Sequence, residues 1–219
     1  MAGVVPHRFL FRYAIPVQAD EQLPRRKARL IGLGEEFALP DLGALEGVSP
    51  FASVRLAWNA RGLGVTVVVQ GKQQPVAYRP GVPELSDGVA LWIDTRPTQN
   101  VHRATRYCHQ FWLQARGGGP KQAEPLAAAV PIARARENPP ERSTAGEVLV
   151  AGEVVKGGYW LDAWLPAEML HGFDPDSNPR LGFSYLVQDQ ELGEQGLTVG
   201  AEFPVSYDPS LWSTLELKR

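Results

Sequence analysis

Proline and glycine punctuate this chain so closely that a long helix has nowhere to form. The 22 glycines and 19 prolines are scattered along 219 residues rather than concentrated, and a proline inside a helix costs about 3 kcal/mol. Between these stops lie short runs rich in Val, Leu and aromatics. That is the pattern of many strands joined by turns.

Read in order, "HRFLFRYAIPV" (residues 7–17) is a first strand ending at or before Pro16. Residues 23–47 are mixed and poorly periodic, a long connection with room for one short strand. In "ASVRLAWNARGLGVTVVVQGK", Val54, Leu56 and Trp58 alternate with Arg55, Ala57 and Asn59, which is the period of a half-buried strand. "NARGLG" supplies the turn, and "VTVVV" is β-branched enough for a central strand. A proline-rich loop leads into "DGVALWID", with Val89, Leu91 and Ile93 on one face and Ala90, Trp92 and Asp94 on the other. "YCHQFWLQA" is its expected partner. "AAAVPIARA" (127–135) reads as a strand because Pro131 denies a helix. Residues 147–170 read as two strands around Gly157 and Gly158, with a helical turn beginning at Pro166. "RLGFSYLVQDQ" and "STLEL" complete the set.

With no repeat and no linker in view, the expectation is all-β: one antiparallel β-sandwich, jelly-roll-like, with a few short helical turns. It spans residues 1–219, with 1–51 as N-terminal strand and connection and 52–217 as the sandwich proper.

The formal net charge is −2, so no global basic field draws in nucleic acid. One cysteine, Cys108, cannot form an internal disulfide, which fits a reducing compartment. Pro6, His7, Arg8 and Arg12 interrupt the N-terminal apolar residues, so no signal peptide is read. No apolar run is long enough to span a membrane. The expected location is cytoplasmic, with neither nucleic acid nor membrane as partner.

The densest polar stretch is "DTRPTQNVHRATRYCHQ". Arg96, Arg103 and Arg106 lie there with His102 and His109. Arginine offers a planar fork for carboxylate or phosphate, and a loop at the end of a sandwich is where such a pocket sits. The rival reading pairs these arginines with Asp87, Asp94 and nearby surface carboxylates. Cys108 and His109 would point to opposite faces of one strand, so a metal site built on them lacks ligands. "DPDSNP" (174–179) is oxygen-rich, as calcium prefers. Asn, Asp and Pro in such clusters usually make turns, so the expectation is no cofactor, with a structural calcium as rival. No nucleophile motif or phosphate loop is present. Acid pairs such as Glu35–Glu36 and Asp189–Glu191 read as solvated carboxylates. The chain is read as non-enzymatic, with no catalytic residues. Of six tryptophans, roughly four should be structural. Trp92 and Trp212 are the expected stacking platforms, one sharing a face with Asp94 and the other lying in "DPSLW".

The order of motifs in the second half resembles the family 9 carbohydrate-binding modules and the wider DOMON-like β-sandwich superfamily. The matching residues are Asp87, Val89 and Asp94, then Gly158, Tyr159 and Pro166, then Gly182, Phe183, Asp189 and Trp212. The resemblance covers roughly residues 52–217 and implies a sugar-binding sandwich of carbohydrate-binding-module type. It departs at two places. The acidic residue that grips sugar in that family falls on Ala90, and the nearest ring ahead of Asp87 is Tyr78. The ligand-binding expectation is therefore Tyr78, Trp92, Asp94, Arg96, His102, Arg103, Arg106 and Trp212, holding a carbohydrate or a small anion. Two alternatives stay open. One is a protein-interaction or scaffold module that kept the fold and lost the sugar site. The other is a haem-holding redox module using Met169 and His171, as in some DOMON-like proteins.

Overall fold

The computed structural model describes residues 14–25, 29–42, 47–97, 100–141, 146–200 and 202–219. Its strands are β1 (Ala14–Gln18), β2 (Ala52–Asn59), β3 (Gly62–Gln70), β4 (Gly88–Asp94), β5 (Cys108–Gly118) and β6 (Glu124–Val130). They continue with β7 (Leu149–Val155), β8 (Gly158–Pro166), β9 (Arg180–Asp189), β10 (Gly193–Gly196) and β11 (Ser213–Lys218). Two sheets result. One is seven-stranded in the order β1-β11-β9-β4-β5-β6, with β10 paired to β9, and the other is four-stranded, β2-β3-β8-β7. Among the described residues the named helical elements are single 3-10 turns such as Ala167–Met169, just after Pro166. The all-β sandwich expected from the sequence is the fold.

The β2–β3 hairpin shows how local chemistry sets register. Asn59 pairs with Gly62 across a two-residue loop, and the Asn59 amide oxygen accepts the Arg61 N–H at 2.8 Å. Gly62 holds φ +148°, and a Cβ there would lie 2.2 Å from the Leu165 carbonyl. Only glycine fits that approach. β3, as its β-branched run implies, is a central strand between β2 and β8.

Three sequence expectations need correction. β1 pairs with β11 in parallel, Ala14 opposite Thr214, so the seven-stranded sheet is not wholly antiparallel. Pro16 is tolerated because β1 is an edge strand. The residues expected to start this strand, 7–13, lie outside the described residues. The strand expected over 127–135 begins earlier, at Glu124, and stops at Val130, because Pro131 cannot donate to a ladder. The polar strand β10 carries no alternation and was not foreseen.

Val89, Leu91 and Ile93 face the other sheet and join the main core with Val67, Phe111 and Phe183. Each such side chain contributes roughly 1.5–3 kcal/mol on burial. The opposite face of β4 is buried too. Ala90 and Trp92 form a second core with Cys108, Ile132, Val205 and Trp212, because residues 131–137, 199–200 and 202–212 fold across the outside of the sheet. A third core covers the outside of the smaller sheet, where Leu23, Ile31 and Leu33 pack on Ala57 and Trp164. Asp162 anchors that cover. It accepts the Arg29 guanidinium at 2.8 and 3.1 Å, the Gly32 N–H at 3.0 Å and the Thr66 hydroxyl at 2.7 Å.

Candidate functional site

In the connection from β4 to β5, residues 95–97 and 100–107 are pinned from three directions. The Thr95 N–H bonds the Tyr107 carbonyl at 3.0 Å, and its hydroxyl donates to the His171 carbonyl at 2.6 Å. The Asn178 amide donates to the Thr95 carbonyl at 2.8 Å. The Ala104 N–H reaches Tyr207 at 3.0 Å, and the Arg136 N–H returns to Ala104 at 2.8 Å. Asp94, at the end of β4, accepts the Arg96 N–H at 2.9 Å. The short Asx turn made by that bond starts the loop.

An open cleft of about 430 Å³ lies against this connection. Asp94, Arg96, Arg106 and Tyr107 line it together with Arg136 and Glu137. Burial pushes the Asp94 carboxyl up to about 6, against the pull of the Arg96 N–H and guanidinium. Arg106 lies over the Tyr107 ring, 5.3 Å from its centre, and 4.0 Å from Glu137. Tyr107 is held from behind by a parallel stack on His171 at 5.2 Å.

Three expected site residues thus meet here: Asp94, Arg96 and Arg106. The others do not. His102 turns toward Ser210 at 3.1 Å and Asp208 at 3.4 Å, and Arg103 donates to the Arg134 carbonyl at 3.0 Å. Tyr78 lies against Gly117, at the other end of the β4–β5 pair. Gly117 is nine residues along β5 from Cys108, the partner of Asp94, or about 30 Å at roughly 3.3 Å per residue. Arg136 and Glu137 arrive from a distant loop, and nothing in the sequence marks them.

Trp92 and Trp212 are buried, 2% and 5% exposed, which corrects their expected role as platforms. The Trp212 N–H is spent on the Val205 carbonyl at 2.7 Å. Trp58 and Trp164 are buried as well, so four of six tryptophans are structural. Trp112 and Trp160 are the half-buried pair. On Trp160 the Arg29 guanidinium sits 3.8 Å from the ring centre.

Trp112 stands on the outer face of β5. Its neighbours across the strands are Ala90 and Ala128, both small, and part of the ring packs against the second core. Along the same face run Gln110, Trp112 and Gln114, with Arg116 following while Ala115 turns inward to the main core. Gln114 is 6% exposed, and among the described residues neither its Nε2 nor the Arg116 Nε has a hydrogen-bond partner. A buried donor left unmet costs about 1–3 kcal/mol. The spacing "QFWLQAR" was the available signal for this row, since polar and aromatic residues recur there at period two.

The remaining clusters are structural. Cys108 sits in the outer core and His109 stacks toward Phe111 on the other face. Burial raises the Cys108 thiol to about 12 and lowers His109 to about 4. In 174–179, the Asp174 carboxylate accepts the Ser177 N–H at 3.1 Å, which makes the turn. Among the described residues no group of three or more His, Cys, Asp and Glu is placed to hold a metal. Met169 is enclosed in the main core, while the His171 ring faces Tyr107. Of the acids read as solvated, Glu35 meets Arg55 and Glu191 accepts the Gln73 and Gln74 N–H groups, whereas Asp189 is buried against Lys72, which corrects that reading for it. No helix among the described residues is long and apolar enough to cross a membrane.

The architecture is that of the carbohydrate-binding-module type of β-sandwich. Among solved structures, a family 9 carbohydrate-binding module from Caldicellulosiruptor kristjanssonii in complex with cellotriose is similar over 94% of each chain. Its TM-score is 0.59 at 12% identity. The same module in complex with glucose gives 0.59 and 12% over 94% of this chain and 96% of that one. The chain therefore shares the family 9 fold. No family model matches the sequence, and no curated protein does.

Proposed function

We propose that this is a non-catalytic carbohydrate-binding domain whose sugar stacks on Trp112. One observation carries the reading: Trp112 is the half-buried indole that lies between two alanines, with glutamine and arginine side chains along the same strand. A sugar site needs such a ring beside convergent polar groups. Gln110 is half-buried next to the ring. The unmet N–H groups of Gln114 and Arg116 are suited to hydroxyl acceptors once their side chains adjust, as side chains at interfaces commonly do. The fold neighbours, solved with cellotriose and glucose, favour neutral glucosides as the first class to try.

The test is isothermal titration with glucose and cellotriose against the native chain and Trp112→Ala. The expected result is binding that Trp112→Ala weakens at least about tenfold. Undiminished binding by the variant would move the site elsewhere.

A second reading, a protein-interaction module, draws on the edge strand β7. Leu149, Val154 and Val155 are 38–44% exposed there, and an open apolar edge invites another chain. Absence of any glycan response together with concentration-dependent association would favour it. The cytoplasmic expectation rested partly on the lone cysteine. A buried thiol raised to about 12 is inert in either compartment, so Cys108 supports no location.

A further inference from the structure

We infer that the cleft between residues 94–96, 105–107 and 136–137 is a second, separate ligand site, built for a small hydroxylated carboxylate such as a sugar acid. The charge balance sets the class. Arg96, Arg106 and Arg136 bring three guanidinium groups to one cavity, and Asp94 and Glu137 bring two carboxyl groups. A single excess positive charge suits a monoanion. The carboxyl groups would repel a bare dianion such as phosphate, but they accept hydrogen bonds from hydroxyls. Guanidinium forks grip a carboxylate in two-point fashion.

The arginines are available. Arg136 is exposed, and its guanidinium is bound to none of the described residues. Arg106 makes only long contacts, 3.4 Å to the Tyr107 hydroxyl and 4.0 Å to Glu137. These are loose enough to be exchanged for a ligand. The frame is held where it must be, because the Thr95, Asn178 and Ala104 bonds fix both ends of the connection and the His171 stack fixes Tyr107. The volume of about 430 Å³ falls within the range of small-molecule sites. Asp94 and Ala90 are four residues apart on β4, about 13 Å, so this site is distinct from the Trp112 face.

The experiment is a titration of sodium glucuronate, glucose and inorganic phosphate at matched ionic strength, followed by thermal shift and calorimetry. The proteins are the native chain, Arg106→Ala/Arg136→Ala and Trp112→Ala. Both arginines are exposed, so the double variant should fold. The inference predicts a saturable glucuronate response that falls at least tenfold in the double arginine variant and persists in Trp112→Ala. It is overturned if glucuronate gives no response, if the double variant binds it normally, or if phosphate binds as tightly. Glucose binding is read on its own, so failure here and failure of the Trp112 reading are told apart.

Discussion

Replacing Lys72 by methionine should cost this fold about 3–5 kcal/mol, the usual penalty for breaking a buried ion pair by removing one partner. The Lys72 ammonium lies 2.7 and 2.8 Å from the two Asp189 carboxylate oxygens. It is 3.0 Å from Asp87 and 3.6 Å from Glu191. The Asp87 and Asp189 side chains are fully enclosed. Each also accepts backbone N–H groups: Ala77 and Gln190 on Asp87, and Glu191 and Leu192 on Asp189. One cation thus ties the 70–77 segment to the start of β4 and the end of β9. Burial alone would lower the Lys72 ammonium, but the hydrogen bonds it donates to Asp189 and Asp87 outweigh it and hold it above its ordinary value. That contribution is complete at neutral pH and is lost only as pH rises through the raised value.

Methionine keeps the volume and leaves two carboxylates facing each other in a dry site beside the Tyr159 hydroxyl, which has no partner among the described residues. Urea unfolding at pH 7, followed by tryptophan fluorescence, is the assay. With a slope of about 2–3 kcal/mol per molar, the midpoint should fall by about 1–2.5 M. Acid should narrow the gap, because two carboxylates left facing each other without their cation repel less once either takes a proton. Asp189→Asn in the Lys72→Met background keeps an acceptor for Glu191 and Leu192 and should return part of the loss. A cost under 1 kcal/mol for Lys72→Met, or a gap that widens in acid, would refute the electrostatic account.

His109 and Asp94 should oppose each other below pH 6.5. His109, lowered to about 4 by burial, gives stability that is present above pH 6.5 and lost as pH falls through 4. Asp94, raised to about 6, destabilises as pH rises from 4 through 6. Each is worth at most about 3 kcal/mol. In melting series from pH 4 to 7, His109→Gln should gain relative stability in acid and Asp94→Asn should lose it; parallel profiles would contradict both. Asp162→Ala orphans Arg29, Thr66 and the Gly32 N–H. It should cost at least about 3 kcal/mol in urea and open residues 29–37 to proteolysis. Cys108, buried and raised to about 12, should resist a thiol reagent until the chain unfolds; rapid native labelling would refute its placement.

The strands were legible wherever alternation and turn chemistry agreed. β4 and its partner β5 follow from the period of Val89, Leu91 and Ile93, and the β2–β3 turn follows from Asn59 to Gly62. What hid from the sequence was the second covering layer. Trp92 and Asp94 share a face of β4, but whether that face meets water depends on residues 202–212, more than a hundred positions away. That is why Trp92 and Trp212 misled and Trp112 did not stand out. The arginines of residues 96–106 lie in a loop, which imposes no period. Arg96 and Arg106 therefore turn into the cleft while Arg103 turns away. Lys72 meets Asp189 across 117 positions, a pairing with no local signal. The parallel pairing of β1 is likewise set by which edge was vacant, not by its own residues.

The measurement that bears most directly on the account is calorimetric titration of cellotriose into the native chain and into Trp112→Ala, with matched melting curves to confirm that both are folded. The account predicts saturable binding by the native chain and at least a tenfold loss in the variant. Equal affinity in both, or a native chain that ignores neutral sugars altogether, would contradict it.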